Sequence, residues 1–191
     1  MSHRLAPLFA LALCVAALGV GCKQLPHDTA LIDAQETLAA DAQAMAETFK
    51  DRDPTIRPFF DTAHAYIVFP EVAIGPAGSG LAAADGVVFK HGRQTGYAAL
   101  TEGKPSGKPQ GQSFAQVVFF ETEEALADFT GGHLHFEDGA EAVAAVSGAA
   151  AQVSYTDGLA VFTTAERQRR FNAALANQKI RPVATESERE L

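Results

Sequence analysis

The sequence predicts an α+β fold: a curved antiparallel sheet of about six or more strands, with a long N-terminal helix and short helices packed on it. Two observations carry this expectation. Glycine is absent from Cys22 to Ile74, falls fourteen times between Gly75 and Gly158, and does not recur after that. Helix signals therefore dominate the first stretch, and strand and turn signals the middle. Asp157-Gly158, set between apolar runs, is a hairpin signal of the kind that joins antiparallel strands.

Each element has its own reason. Asp28 or Thr29 can cap a helix that runs to about Lys50. Leu31, Leu38 and Met45 recur every seven residues, with Ala42 and Phe49 on the same face. The other face carries Asp33, Glu36, Asp41 and Glu47, an acidic surface unlike the Lys/Arg-rich face of a helix lying in a membrane plane. The helix is therefore expected to pack on the domain. Asp53-Pro54 starts a second, short helix, with Ile56, Phe59 and Phe60 turned inward. Residues 65–70, AYIVFP, form a short apolar strand stopped by Pro70. A second strand covers about Leu81–Lys90, and His91-Gly92-Arg93-Gln94 turns it into Thr95–Leu100. Residues 101–110, with two Gly, two Pro and two Lys, read as an exposed loop. Ser113–Phe120 is a further strand, and Thr122 caps a helix over Glu123–Phe129 that ends at Gly131-Gly132. Phe136–Tyr155 reads as two strands bent near Gly148, and Leu159–Thr164 returns from the Asp157-Gly158 turn. Arg167–Ile180 has helix propensity but alternates like a strand at Phe171, Ala173 and Leu175. Thr185–Leu191 is a polar tail.

Composition bounds the function. The chain has 191 residues, 47% hydrophobic and 20% charged, which is enough for one ordered domain. A formal net charge of −8, no Trp and only three Tyr argue against nucleic acid, whose phosphates demand a basic face and whose bases favour aromatic platforms. Two cysteines exclude a disulfide framework and a Cys-built zinc site. No cofactor is expected.

The N-terminus reads as an address. Arg4 is the only charged side chain before Lys23, and every residue from Leu5 to Val20 is apolar, Pro or Gly. That is the n- and h-region pattern of a signal peptide, shorter than the roughly 20 residues a spanning helix needs. Leu18-Gly19-Val20-Gly21-Cys22 resembles a bacterial lipobox, in which the cysteine becomes acylated, for instance with palmitate, and then N-terminal. A plain secretory signal with an incidental cysteine is the alternative. On the lipoprotein reading residues 1–21 are removed, taking Cys14 and Arg4 with them, and the net charge moves from −8 to −9. Lys23, rather than Asp, after the cysteine points to the periplasmic side of the outer membrane. Residues 22–27 are then lipidated cysteine and tether, 28–183 the domain, and 184–191 a flexible tail. A five-residue tether from Lys23 to His27 reaches only ~17 Å, which holds the domain near the bilayer.

Several stretches taken in order resemble the SYLF lipid-binding domain family. They are the strand ending VFP (68–70), GPAGSGLAAADGVVF (75–89), TGYAAL (95–100), GQSFAQVVFFETEEALADF (111–129), FEDGAEAVAAVSGAAA (136–151), DGLAVFT (157–163) and FNAALANQKI (171–180). The set spans about Asp28 to Pro182. It departs from the family pattern at Ala84, at Ala176-Asn177 and in the Lys/Pro loop 104–109. The resemblance implies a compact α+β domain that binds phospholipid, and it favours a strand from Phe171 onward. The family's link to actin has no counterpart in a bacterial envelope.

The candidate chemistry is sparse. His133 and His135, two apart on a strand, could share an ion with Glu137, but no fourth ligand is evident; two exposed histidines after a Gly-Gly turn is the plainer reading. Gly75, Gly78 and Gly80 could nest a headgroup phosphate, although close packing explains them better. No GxSxG elbow occurs, and Ser79 and Ser113 have no histidine partner in sequence. Glu123-Glu124 and Glu137-Asp138 are adjacent pairs that point apart, as on a solvated acidic face. The expected reading is therefore not an enzyme. Cations cluster instead: Lys90, Arg93, Lys104, Lys108, Arg167, Arg169, Arg170, Lys179 and Arg181 are the candidates for anionic headgroups, as one patch if the last strands lie beside a basic turn. The expected partner is a phospholipid membrane. The alternative is an envelope protein-interaction module that meets lipid only through its own anchor at Cys22.

Overall fold

The chain opens with α1, Pro26–Arg52, in the computed structural model, which describes residues 26–74, 82–102, 113–132, 134–136, 142–164 and 178–183. At 27 residues the helix is ~40 Å long. It starts slightly before the expected Asp28 cap, and its burial grows along its length. Leu31 is exposed and Leu38 half-buried, while Ala42, Ala46 and Phe49 are buried. A single 3-10 turn, Pro54–Ile56, and α2, Arg57–Thr62, follow, with Ile56, Phe59 and Phe60 buried as expected.

Seven strands form one sheet that does not close: β1 Ala65–Ile74, β2 Ala82–Lys90, β3 Arg93–Glu102, β4 Ser113–Phe120, β5 Val143–Ala144, β6 Leu159–Thr163 and β7 Lys179–Val183. Their order is β5-β6-β4-β1-β2-β3-β7. Every pairing is antiparallel except β5 with β6. α3, Glu123–Thr130, is capped by the Thr122 hydroxyl, which accepts from the Ala125 N–H.

Both faces of the sheet are buried, so there are two cores rather than the single one a half-exposed sheet would have. Ala65, Ile67 and Phe69 face one side with Phe114, Val118, Phe120, Phe129 and Phe136. Tyr66 and Val68 face the other with Phe49, Phe59, Phe60, Phe119 and Phe162, beneath α1 and α2. This explains why β4 is buried at every position from Phe114 to Phe120 and not in alternation.

The sheet is strongly curved. Gln116 on β4 donates from Nε2 to Oε1 of Gln178, just before β7, at 3.1 Å. Strands β1, β2 and β3 lie between them. In a flat sheet β4 and β7 would be ~19 Å apart, beyond the reach of two glutamines. Leu134–Phe136 comes to the outer side of β7: Phe136 N–H donates to Gln178 O at 3.0 Å, and Ile180 N–H to Leu134 O at 3.2 Å.

Three expectations need correction. Pro70 does not stop β1; the strand continues to Ile74 through irregular registers between Phe69 and Val72 against β4 and between Val68 and Ala73 against β2. A bulge has no ladder bond at the position where proline has no N–H to give. The described part of Phe136–Tyr155 is not two bent strands. It holds the two-residue β5, a turn at Gly148 and a 3-10 turn at Ala150–Gln152, because the Asp53 carboxylate captures the Gly148 and Ala150 N–H groups that a ladder would use. Thr101 and Glu102 belong to β3 rather than to the loop that follows.

Both tight turns are built as hairpin turns. Asp157 and Gly158 have φ of +51° and +76°, and Thr156 and Leu159 exchange two backbone bonds of 2.9 Å. The upstream arm ends at Thr156, however, so β6 finds its partners in β4 and β5. His91 and Gly92 make the same kind of turn between β2 and β3. The expected strand from Phe171 is described only from Gln178, and β7 runs on through Pro182 to Val183 at the edge of the sheet.

Candidate functional site

The candidate headgroup cations among the described residues fall into two groups. Lys90 and Arg93 flank the His91-Gly92 turn and pair with each other across it. Lys179 and Arg181 lie two apart on β7, opposite Glu102 and Ala99 of β3. Ile180 between them is buried in the core, so both cations face the side of the sheet that α1 covers elsewhere. Along β3, the step from Arg93 to Ala99 is ~20 Å, so the basic turn and the basic strand are separate. The last strand thus lies beside β3 but not beside its turn. Lys104 and Lys108, Arg167, Arg169 and Arg170, and the anchor Cys22 lie outside the described residues, as do Cys14, Gly75, Gly78, Gly80, Ser79, His133, Glu137 and Asp138.

α1 meets the sheet edge at a groove of about 640 Å³. Leu31, Leu38, Tyr97 and Val183 are its apolar lining, and Asp33, Asp41 and Asp85 its acidic rim. The Tyr97 hydroxyl donates to Gln35 O at 3.4 Å, which ties the helix to β3 at the groove floor. Leu31 and Ile32 are 44% and 42% exposed, and among the described residues only Val146 joins them as an exposed large hydrophobic. The heptad spacing placed Leu31 and Leu38 on one face; that the face is only partly covered was not readable from spacing.

A second groove of about 610 Å³ lies toward the C-terminal half of α1, between Glu47, Lys50, Asp61 and the rings of Phe60, Tyr66 and Phe89. Lys50 Nζ bonds Glu47 at 2.7 Å and sits 4.8 Å from the Phe60 ring centre. Burial, and then the Glu47 carboxylate, raise the Tyr66 phenol above its ordinary value.

The buried polar groups are structural. Asp53 is fully buried. Its Oδ1 accepts from the Thr55 N–H at 3.0 Å, the Thr55 hydroxyl at 2.6 Å and the Gly148 N–H at 2.9 Å, and its Oδ2 accepts from the Ala150 N–H at 2.7 Å. Burial alone would raise its pKa, but these donors together hold it below the ordinary value. The sequence marked Asp53 only as a cap, because its partners near Gly148 are 95 residues away. Arg52 Nη1 reinforces the same corner by donating to Thr164 O at 2.8 Å. Burial, and then Glu121, push the Tyr155 hydroxyl up to about 12.

Nothing in this geometry assembles a reaction centre among the described residues. Ser113 opens β4. His135 bridges the β7 backbone at Lys179, and no group of three or more His, Cys, Asp or Glu side chains that could hold a metal occurs among the described residues. Glu123 and Glu124 occupy the first turn of α3; Glu124 is held below its ordinary value by hydrogen bonds from its own backbone N–H and from Thr122. No described helix is long and apolar enough to cross a membrane. In comparison with known proteins, the chain matches no family model and no curated sequence.

Proposed function

We propose that the protein is a lipoprotein, anchored through Cys22 to the periplasmic side of the outer membrane, whose domain binds phospholipid headgroups without catalysis. One observation carries the reading beyond sequence resemblance. Leu31 of α1 and Val183 of β7 line the same groove. The helix that begins at Pro26, four residues after Cys22, therefore borders the same groove as the strand that carries Lys179 and Arg181. The first described turns of α1 and the basic strand thus border the same groove.

Energetics agree with a tethered binder. At net −9 the domain as a whole is repelled by an anionic surface, so attraction must be local. Screening over ~8 Å at physiological salt lets a cation at the lipid outweigh carboxylates on the far side. Each such cation contributes ~1 kcal/mol, so a few give modest affinity alone. The anchor supplies the remaining proximity.

Flotation of the Cys22→Ala chain with anionic vesicles at low and high salt tests this. Binding should fall at high salt and in Lys179→Ala/Arg181→Ala, fall further when Arg167, Arg169 and Arg170 are also changed to Ala, and respond little to Lys90→Ala/Arg93→Ala. Binding to no vesicle, or binding indifferent to salt and to all of these changes, refutes the proposal. Release of free fatty acid from the vesicles would contradict its non-catalytic part.

A further inference from the structure

We propose that the groove between the N-terminal half of α1 and β3 is a docking site for a cationic amphipathic segment of a partner protein. The inference is separate from headgroup binding at Lys179 and Arg181, because the described charged side chains that line the groove itself are acidic. Among the described residues its lining holds Asp33, Asp41 and Asp85 and no Lys, Arg or His. All three carboxylates are exposed, so they are available at the rim rather than spent inside the fold. Between them runs an apolar strip of Leu31, Leu38 and Tyr97, with Leu31 still 44% exposed. A groove of about 640 Å³ admits a few side chains, not a domain.

The occupant follows from that combination. Apolar side chains would enter between the helix and β3, and Lys or Arg on either flank would meet the carboxylates, as when an amphipathic segment lies in a groove. A second copy of the chain is a poor fit. It would bring its own acidic α1 face, with Asp33, Glu36 and Asp41, against the same rim. An anionic lipid headgroup meets the same repulsion. The net charge of −8 in the full chain also steers a cationic partner toward it before contact.

The test is fluorescence anisotropy with a labelled Lys/Leu amphipathic peptide, and a Glu/Leu peptide of the same pattern, on the full chain carrying Cys22→Ala. The Lys/Leu peptide should bind and the Glu/Leu peptide should not. Asp33→Asn/Asp41→Asn/Asp85→Asn should weaken binding about tenfold, the sum expected for three exposed ion pairs. Leu31→Ser should weaken it severalfold. Glu71→Gln/Glu121→Gln/Asp128→Asn removes the same charge from exposed positions elsewhere and should change it less than about twofold. All of these positions are exposed, so circular dichroism should confirm that each variant is folded. Equal loss in the two triple variants would reduce the effect to bulk attraction and overturn the proposal, as would absence of binding. Anionic vesicle binding that disappears with Leu31→Ser would assign the groove to lipid instead. A concentration-dependent dimer that dissociates with Leu31→Ser would assign it to a second copy.

Discussion

Asp53 illustrates how one buried charge can hold distant parts of a chain together. Its four hydrogen bonds join the end of α1 to the turn at Gly148, and no cation balances it in those contacts. Asp53→Ala would leave the Gly148 and Ala150 N–H groups without an acceptor, and should cost roughly 2–4 kcal/mol in urea unfolding. Asp53→Asn keeps one acceptor oxygen and should cost less. The sign of the pH effect follows from the lowered pKa. The carboxylate stabilises the fold fully above the ordinary aspartate value of 3.8, and this contribution is lost as pH falls through the lower native value. Thermal melts of the wild type should therefore drop below that value, and Asp53→Asn should flatten that part of the profile. Tyr155 is the opposite case. Its hydroxyl is buried and makes no hydrogen bond to the described residues. Tyr155→Phe should leave the melting temperature unchanged or raise it slightly, because it removes a polar atom whose desolvation nothing offsets.

At the scale of elements, the sheet depends on contacts that cross it. A Cβ added to Gly86 on β2 would lie 2.6 Å from Cδ1 and Cε1 of Phe69 on β1. Phe69 is fully buried and has nowhere to move. Gly86→Ala should cost about 1–3 kcal/mol, as overpacked cores do. The Gln116–Gln178 bond should show as coupling: Gln116→Met and Gln178→Met together should cost at least about 0.5 kcal/mol less than the sum of the two alone. These same elements separate what was legible in the sequence from what was not. β4 and α3 could be placed from Ser113 and Thr122, because strand onset and helix cap are local chemistry. The Pro70 bulge could not, since a proline ends one strand and bends another depending on its neighbour strand. The stretch around Gly148 was misread because the carboxylate that claims its backbone donors sits at Asp53. The heptad of α1 gave its buried face, but how far the sheet extends beneath that face is set by where β3 and β7 pair.

For the whole molecule, the decisive quantity is the distance between tether and basic edge. Leu31 and Val183 border one groove, so the first turns of α1 lie on the same side of the sheet as the basic strand. If the anchor supplies the proximity that a few cations need, lipid engagement must depend on tether length. Replacing Lys23–Leu25, the residues between Cys22 and α1, by a flexible Gly/Ser linker about tenfold longer should lower the effective concentration of membrane ~30-fold, since it falls roughly as the −3/2 power of length. A fluorophore on Pro182→Cys, in a lipidated chain with no other free cysteine, can report this through a quencher carried on anionic lipid. Quenching at Pro182 should exceed that at Glu121→Cys, which lies beyond the far end of β4. It should decline both with the longer tether and with added salt, because local cations provide the attraction that the tether amplifies. Equal quenching at the two positions, unmoved by linker length, would mean that the anchor carries the domain to the membrane without turning β7 toward it.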